Sequence, residues 1–206
     1  MLDVYAFATP NSIKVPIALE ELDLDYALHG INVRKGEQKA PEFVALNPNA
    51  KVPVLVDGDL VLSESAAILV HLAEKTGRLL PASGEDRARV FEQLFFHASG
   101  LGPAFGQAGF FQRLAAEPQP IAIERFSSEA RRTVSVFDGV LAARRFAAGD
   151  AFTIADIAHF GWLWRREFAG VGLDDAPNVA RWYAEIEARP AVRRALARVD
   201  ALVPAA

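Results

Sequence analysis

Two short stretches carry the residue types from which a small-molecule site can be built. They are Asn47-Pro48-Asn49-Ala50-Lys51-Val52-Pro53-Val54-Leu55-Val56 and, soon after, Ser63-Glu64-Ser65-Ala66-Ala67-Ile68. In the first, an X-Pro step opens a short apolar strand; in the second, an acidic residue and a serine open a helix. A strand edge pairs with extended peptides through its main chain, and a helix N-terminus favours carboxylates. Side by side they describe a pocket for a small anionic peptide. A plain hairpin followed by a capped helix, with Ser63 as cap and Glu64 complementing the helix dipole, accounts for the same residues without a ligand.

Residues 1–80 supply the elements that must hold these two stretches together. Residues 2–7 read as a strand, 12–23 as a helix with Ile13, Ile17 and Leu22 on one face, 26–33 as a second strand and 41–46 as a helical turn. Residues 54–56 and 60–62 flank Asp57-Gly58, a strong hairpin signal, and 64–76 read as a closing helix. The order βαβ-α-ββα is the thioredoxin-like arrangement, a mixed four-stranded sheet with helices on its faces. Beyond it only helical periodicity is visible, over 87–100, 120–145, 153–168, 177–188 and 191–202. Thr153-x-x-Asp156 ahead of an apolar run reads as a capping box that starts a core helix. The fold class is therefore α/β plus all-α, with a domain at 1–80, a linker at 81–84 and an all-helical domain at 85–206. Composition supports the division. All five lysines precede residue 81, residues 1–80 carry 7 basic and 11 acidic side chains, and residues 81–206 carry 15 of each.

Composition also removes several classes of function. A net charge of −4 gives no electrostatic footprint for nucleic acid, and no basic run suits an anionic membrane surface. The chain has no cysteine. That excludes disulfides, thiolate metal sites and a nucleophile drawn from the protein's own sulfur. The four histidines show no metal spacing, so no metal is expected. Gly100-x-Gly102-x-x-x-Gly106 imitates a dinucleotide fingerprint, but its third glycine is one residue late and it follows a helical segment. The charge-free run at 93–112 is too polar to cross a bilayer, and the start of the chain has no signal-peptide pattern. The expected location is the cytoplasm.

The Val-Pro and Glu-Ser pair on a thioredoxin-like domain, followed by a helical domain, resembles the cytosolic glutathione S-transferases over essentially the whole chain. Thr9-Pro10-Asn11-Ser12-Ile13-Lys14-Val15, Gly100-Leu101-Gly102-Pro103, Ala122-Ile123-Glu124-Arg125 and Ile154-Ala155-Asp156-Ile157-Ala158 are similar to the nu class. The resemblance implies that Val52-Pro53 is cis, with the Val52 backbone pairing with the cysteinyl unit of glutathione. It implies that Ser65 and the helix start receive the γ-glutamyl carboxylate and that Glu64 meets the ammonium. Gln38 and Lys51 fall at the glycyl carboxylate, and Arg132 reaches glutathione across a dimer two-fold. Thr9 and Asn11 stand at the thiol. Each has a structural alternative: a trans proline on an edge strand, solvated surface side chains, or turn chemistry at Thr-Pro-Asn. Ser12 lies where some related classes carry a reactive cysteine. Ser12-Ile13 departs from the Gly-His common in the nu class, and places a larger apolar side chain beside the thiol.

The function implied is that of a glutathione-dependent enzyme, reducing disulfides or organic peroxides with bound glutathione thiolate, and a homodimer. Two other functions fit the same residues: a conventional transferase conjugating electrophiles, and a non-catalytic protein using the fold for regulation or assembly. Thr9 and Asn11 favour the enzymes. Phe105, Phe110 and Phe111, implied to line the second-substrate side, say only that it is apolar.

Overall fold

Burial alternates along β1 (Leu2–Ala6), with Leu2, Val4 and Ala6 inside and Asp3 and Tyr5 half-exposed. This is the period-two pattern of a strand with one face on a core. The computed structural model, which describes residues 1–203, builds two units, Met1–Leu80 with the chain from Ala188 onward, and Pro81–Glu187. In the first, β1 pairs in parallel with β2 (Tyr26–Gly30) after the crossover helix α1 (Lys14–Glu21). On its other side β1 pairs antiparallel with β3 (Val54–Asp57), which pairs antiparallel with β4 (Leu60–Ser63). The sheet order is β2-β1-β3-β4, the mixed four-stranded sheet of a thioredoxin-like domain.

Hairpin β3–β4 turns through Gly58-Asp59, with Asp57 paired to Leu60. Gly58 has φ +62°, a left-handed conformation in which a side chain would be strained. Val54 and Leu55 are both fully buried, so this strand is covered on both faces. Helix α3 (Ser65–Thr76) buries Ile68, Leu69 and Leu72 and packs on α1, whose Ile17 and Leu19 are likewise fully inside. Each such aliphatic side chain contributes roughly 1.5–3 kcal/mol of transfer free energy. Phe43 of α2 (Pro41–Leu46) meets the Tyr5 ring edge-on.

The sequence reading carries the helical domain to residue 206, but helix α9 (Pro190–Asp200) packs on α1 and belongs with the sheet. Arg189 donates to both carboxylate oxygens of Glu21, and Arg194 and Arg198 donate to Glu20. Partners this far apart in sequence leave no trace in local periodicity.

The second unit comprises α4 (Gly84–Phe96), α5 (Gly102–Arg113), α6 (Pro120–Ala142), α7 (Ile154–Trp164) and α8 (Pro177–Glu187). Helix α4 starts three residues before the expected position and runs through a π-turn, His97–Leu101, into α5, a helix the sequence reading left out. Its glycines look like breakers but serve as contact points. A Cβ at Gly109 would lie 2.1 Å from the Phe168 ring. The capping box is formed: Thr153 Oγ1 accepts from Ala155 N and Asp156 Oδ2 accepts from Thr153 N. Asp156 is fully buried, and its Oδ1 also accepts from Ala147 N and Trp182 Nε1. Burial pushes this carboxyl up to about 6, against the pull of those donors.

Candidate functional site

A turn held by Asn47 delivers the main chain to the pocket. Asn47 is buried, its Oδ1 accepts from Asn49 N at 3.0 Å, and its Nδ2 donates to the Lys51 carbonyl at 2.7 Å. Ala50, at φ +53°, completes the reversal. The Val52-Pro53 bond that follows is cis. The edge expected at this place is not an edge of the sheet. Strand β3 lies inside it, paired on both sides from Val54 onward, and Val52-Pro53 stands one step ahead of the ladder.

Helix α3 begins on the far wall. Ser65 is its first residue and is 9% exposed. Glu64, in the position before it, has φ +71° and ψ +109°. A side chain in this sparsely populated region costs about 1–3 kcal/mol, and such strain gathers at sites where a residue must be aimed. The first-turn amides of α3 have no intrahelical acceptor and carry the positive end of the helix dipole.

Asn11, Asn47, Asn49, Lys51, Val52, Pro53, Glu64 and Ser65 together line one cavity of about 260 Å³. Six of the nine site residues read from the sequence (Asn11, Lys51, Val52, Pro53, Glu64 and Ser65) are thereby brought together. Thr9 is engaged in the turn beside it, donating its hydroxyl to Ser12 Oγ at 2.9 Å and accepting from Ser12 N at 3.3 Å. Gln38 stands on a 3₁₀ turn, Glu37–Lys39, outside the lining of this cavity, with Oε1 buried and unbonded within the protein. Arg132 belongs to the other unit, exposed on α6, where it makes a two-pronged bond to Glu129.

Asn47 and Asn49 of this lining are not among the site residues read from the sequence, and neither is Lys14, buried behind it. Lys14, 1% exposed, extends its ammonium to Asn11 and to the start of α3. Nζ donates to Asn11 Oδ1 at 2.8 Å and to Ser65 Oγ at 3.3 Å. Burial lowers its pKa to about 7, and the nearby Glu64 charge opposes that shift. A signal existed, since Lys14 falls three and four residues before Ile17 and Ala18, on the stripe that faces the core.

A larger concavity of about 460 Å³ lies in the helical unit, with Asp86, Arg89, Arg144 and Asp150 in its lining. Its charges are mixed, and Thr153, a buried polar side chain among them, is engaged in capping α7. Among the described residues no group of three or more His, Cys, Asp or Glu is placed to hold a metal ion, and no helix is long and apolar enough to cross a membrane.

A mixed thioredoxin-like sheet with a cis proline facing a helix N-terminus, in a chain that also holds a helical unit, defines the class. The chain matches the glutathione S-transferase N-terminal domain over residues 1–74 and the glutathione S-transferase C-terminal domain over residues 102–190, and it belongs to the glutathione S-transferase family. It is 39% identical to the disulfide-bond oxidoreductase YfcG of Escherichia coli over 97% of this chain and 96% of that one. Among solved structures it is similar to a glutathione transferase family member from Pseudomonas fluorescens with two glutathione bound. The TM-score is 0.89 at 38% identity, covering 95% of this chain and 92% of that one. A glutathione transferase from Pseudomonas putida, with one glutathione disulfide bound per subunit, gives a TM-score of 0.88 at 36% identity, covering 95% and 90%.

Proposed function

We propose that this protein binds glutathione in the cavity between Asn47–Pro53 and the start of α3, and uses its thiolate to reduce disulfides, in the manner of a nu-type enzyme. The observation that carries this reading is the convergence of Asn11, Val52 and Ser65 on one cavity. Its three kinds of group answer the three parts of the tripeptide. The α3 amides, with the Ser65 hydroxyl, suit the γ-glutamyl carboxylate, and Glu64 suits its ammonium. The main chain at Val52 suits the cysteinyl unit, and Lys51 the glycyl carboxylate, with Gln38 completing that end. Relatives support it: YfcG is named as a disulfide-bond oxidoreductase, and the two bacterial structures hold glutathione or its disulfide.

A free thiol has a pKa near 8.5, and the thiolate is the nucleophile. Lowering that pKa by two units takes about 2.7 kcal/mol of preferential stabilisation. One or two hydrogen bonds to a charged sulfur, at roughly 1.5–3 kcal/mol each, are enough. Asn11, with Thr9 shaping the turn, supplies them. The bound thiolate attacks one sulfur of the substrate disulfide, forming a glutathione mixed disulfide and expelling a substrate thiolate. A second glutathione thiolate then attacks the glutathione sulfur of that intermediate, releasing glutathione disulfide and the other substrate thiolate. With no cysteine in the chain, both electrons come from the two glutathiones.

The pair Phe91 and Phe95, stacked at 6.2 Å with Phe95 66% exposed, supports a homodimer through this face, in which Arg132 serves the partner's site. Initial rates with glutathione and, side by side, a model disulfide, an organic peroxide and an aryl halide test the reading. Disulfide reduction should be fastest. Aryl-halide conjugation far outrunning it would make the protein a conventional transferase.

A further inference from the structure

We propose that Lys14 is the positioning residue that turns the Asn11 carboxamide so that its NH₂ group faces the glutathione sulfur. The inference rests on the reading just given, and it names what makes Asn11 a donor. In its ammonium form Lys14 has three N–H donors and no acceptor, so while the lysine is charged the amide atom 2.8 Å from its Nζ is oxygen. The carboxamide is planar, so fixing Oδ1 toward Lys14 turns Nδ2 to the other side of the group, with its hydrogen trans to Oδ1 pointing directly away from the C=O direction. Asn11 contributes to the cavity wall, and the proposal places this hydrogen on the cavity side.

Without such a partner the amide is free to flip and offer its oxygen to the sulfur, which would repel a thiolate. A charged donor on Oδ1 also polarises the amide and strengthens the bond that Nδ2 donates. The same ammonium donates to Ser65 Oγ at 3.3 Å, leaving that hydroxyl's proton for the carboxylate of the ligand. Lys14 thus orients donors at both ends of the pocket from behind its wall.

Other charges around Lys14 are accounted for. Glu64, at the start of α3, favours the ammonium. Farther along α3, His71 Nε2 and Lys75 Nζ lie within 2.8 Å of Asp57, and Glu74 is exposed. Helix α9 presents Arg189, Arg194 and Arg198 to Glu20 and Glu21, at the opposite end of α1 from Lys14. Lysine buried for packing alone is disfavoured, since methionine fills the same volume without desolvating a charge.

The chain has no cysteine, so thiolate absorbance near 240 nm belongs to the ligand alone. The test titrates glutathione bound to excess protein between pH 5 and 9, in the wild type, Lys14→Met, Asn11→Ala and the double variant, with thermal melting as a check of folding. The bound thiol of Lys14→Met should titrate about one to two units above that of the wild type, the loss of one hydrogen bond to a charged sulfur. Asn11→Ala should shift it equally, and the double variant no further, because Lys14 acts through Asn11. Lys14→Arg should recover part of the shift. The proposal is overturned if Lys14→Met titrates like the wild type, if the two shifts add, or if bound glutathione in the wild type titrates at its free value. A lowered thiol pKa in a wild type that fails to reduce disulfides sinks the reductase reading and leaves Lys14 in its role. Normal reduction with an unshifted Lys14→Met does the reverse.

Discussion

Arg189 closes on Glu21 with Nε 2.6 Å from one carboxylate oxygen and Nη2 2.7 Å from the other. The Glu21 side chain is only 9% exposed, so water screens this pair less than an ordinary surface bridge. It anchors the first turn of α9 to the last turn of α1, where an arginine and a carboxylate separated by most of the chain meet in fork geometry. Glu21→Ala should lower stability to urea by about 1–2 kcal/mol. An unchanged midpoint would mean that α9 is held by its apolar face alone.

Asp156 joins four donors in the helical unit, and removing it leaves Trp182 Nε1 and two main-chain amides buried without an acceptor. Asp156→Ala should cost about 3–5 kcal/mol, the range for breaking a buried charged network. Thr153→Ala, which removes the cap and keeps the carboxylate, should cost about 1 kcal/mol. Melting temperatures in that order would bear this out; equal losses would show that the cap, and not the carboxylate, organises the start of α7.

Lys14 should make the stability of the ligand-free protein depend on pH. Its pKa is about 7 when folded against 10.5 as the ordinary value. Between those values the unfolded chain binds more protons, so stability rises with pH across that window, and the burial cost is complete below it. Lys14→Met should therefore be more stable than the wild type by about 1–4 kcal/mol at pH 6. The gain should shrink toward pH 10. A gain that is constant with pH would place the lysine's titration outside this range.

Ser65→Ala removes the hydroxyl that the proposed function assigns to the carboxylate of the ligand. Glutathione affinity by calorimetry should fall by about 1–3 kcal/mol, roughly 5- to 150-fold. An unchanged dissociation constant would put the ligand elsewhere.

Asn11→Ala should lower kcat/KM for disulfide reduction about 10- to 100-fold. Glutathione affinity at acid pH should be little altered, since the thiol is then neutral. Thr9→Ala should lower activity and stability together, because the Thr9 hydroxyl is bonded to Ser12 within the turn. Full reductase activity in Asn11→Ala would remove the thiolate role from this residue.

Much of this was legible in the chain because the signals are local. Gly58 requires a turn, Thr153 and Asp156 announce a helix start three residues apart, and the Val-Pro and Glu-Ser pair marks the two walls of the pocket. What stayed hidden depends on contacts between distant residues. Nothing local shows that β3 lies between β1 and β4, since an apolar run suits an inner strand or an edge equally well. Helix α5 was obscured by glycines whose purpose, room for the Trp162 and Phe168 rings, exists only in the packed unit. Lys14 falls within the Thr-Pro-Asn segment, but its meaning needs Ser65, which lies 51 residues further on.

Ser12, fully buried with its hydroxyl bonded to Thr9, stands where the resemblance to related classes would put a reactive cysteine. The sulfur of these 206 residues is confined to Met1, itself 95% exposed. The ladder from thiol through sulfenic to sulfonic acid, by which peroxides disable cysteine enzymes, therefore has no first rung in this chain. On the proposed reading, thiol oxidation falls on the diffusible peptide that carries the chemistry, while the protein's own sulfur, at Met1, is no part of the cavity lining.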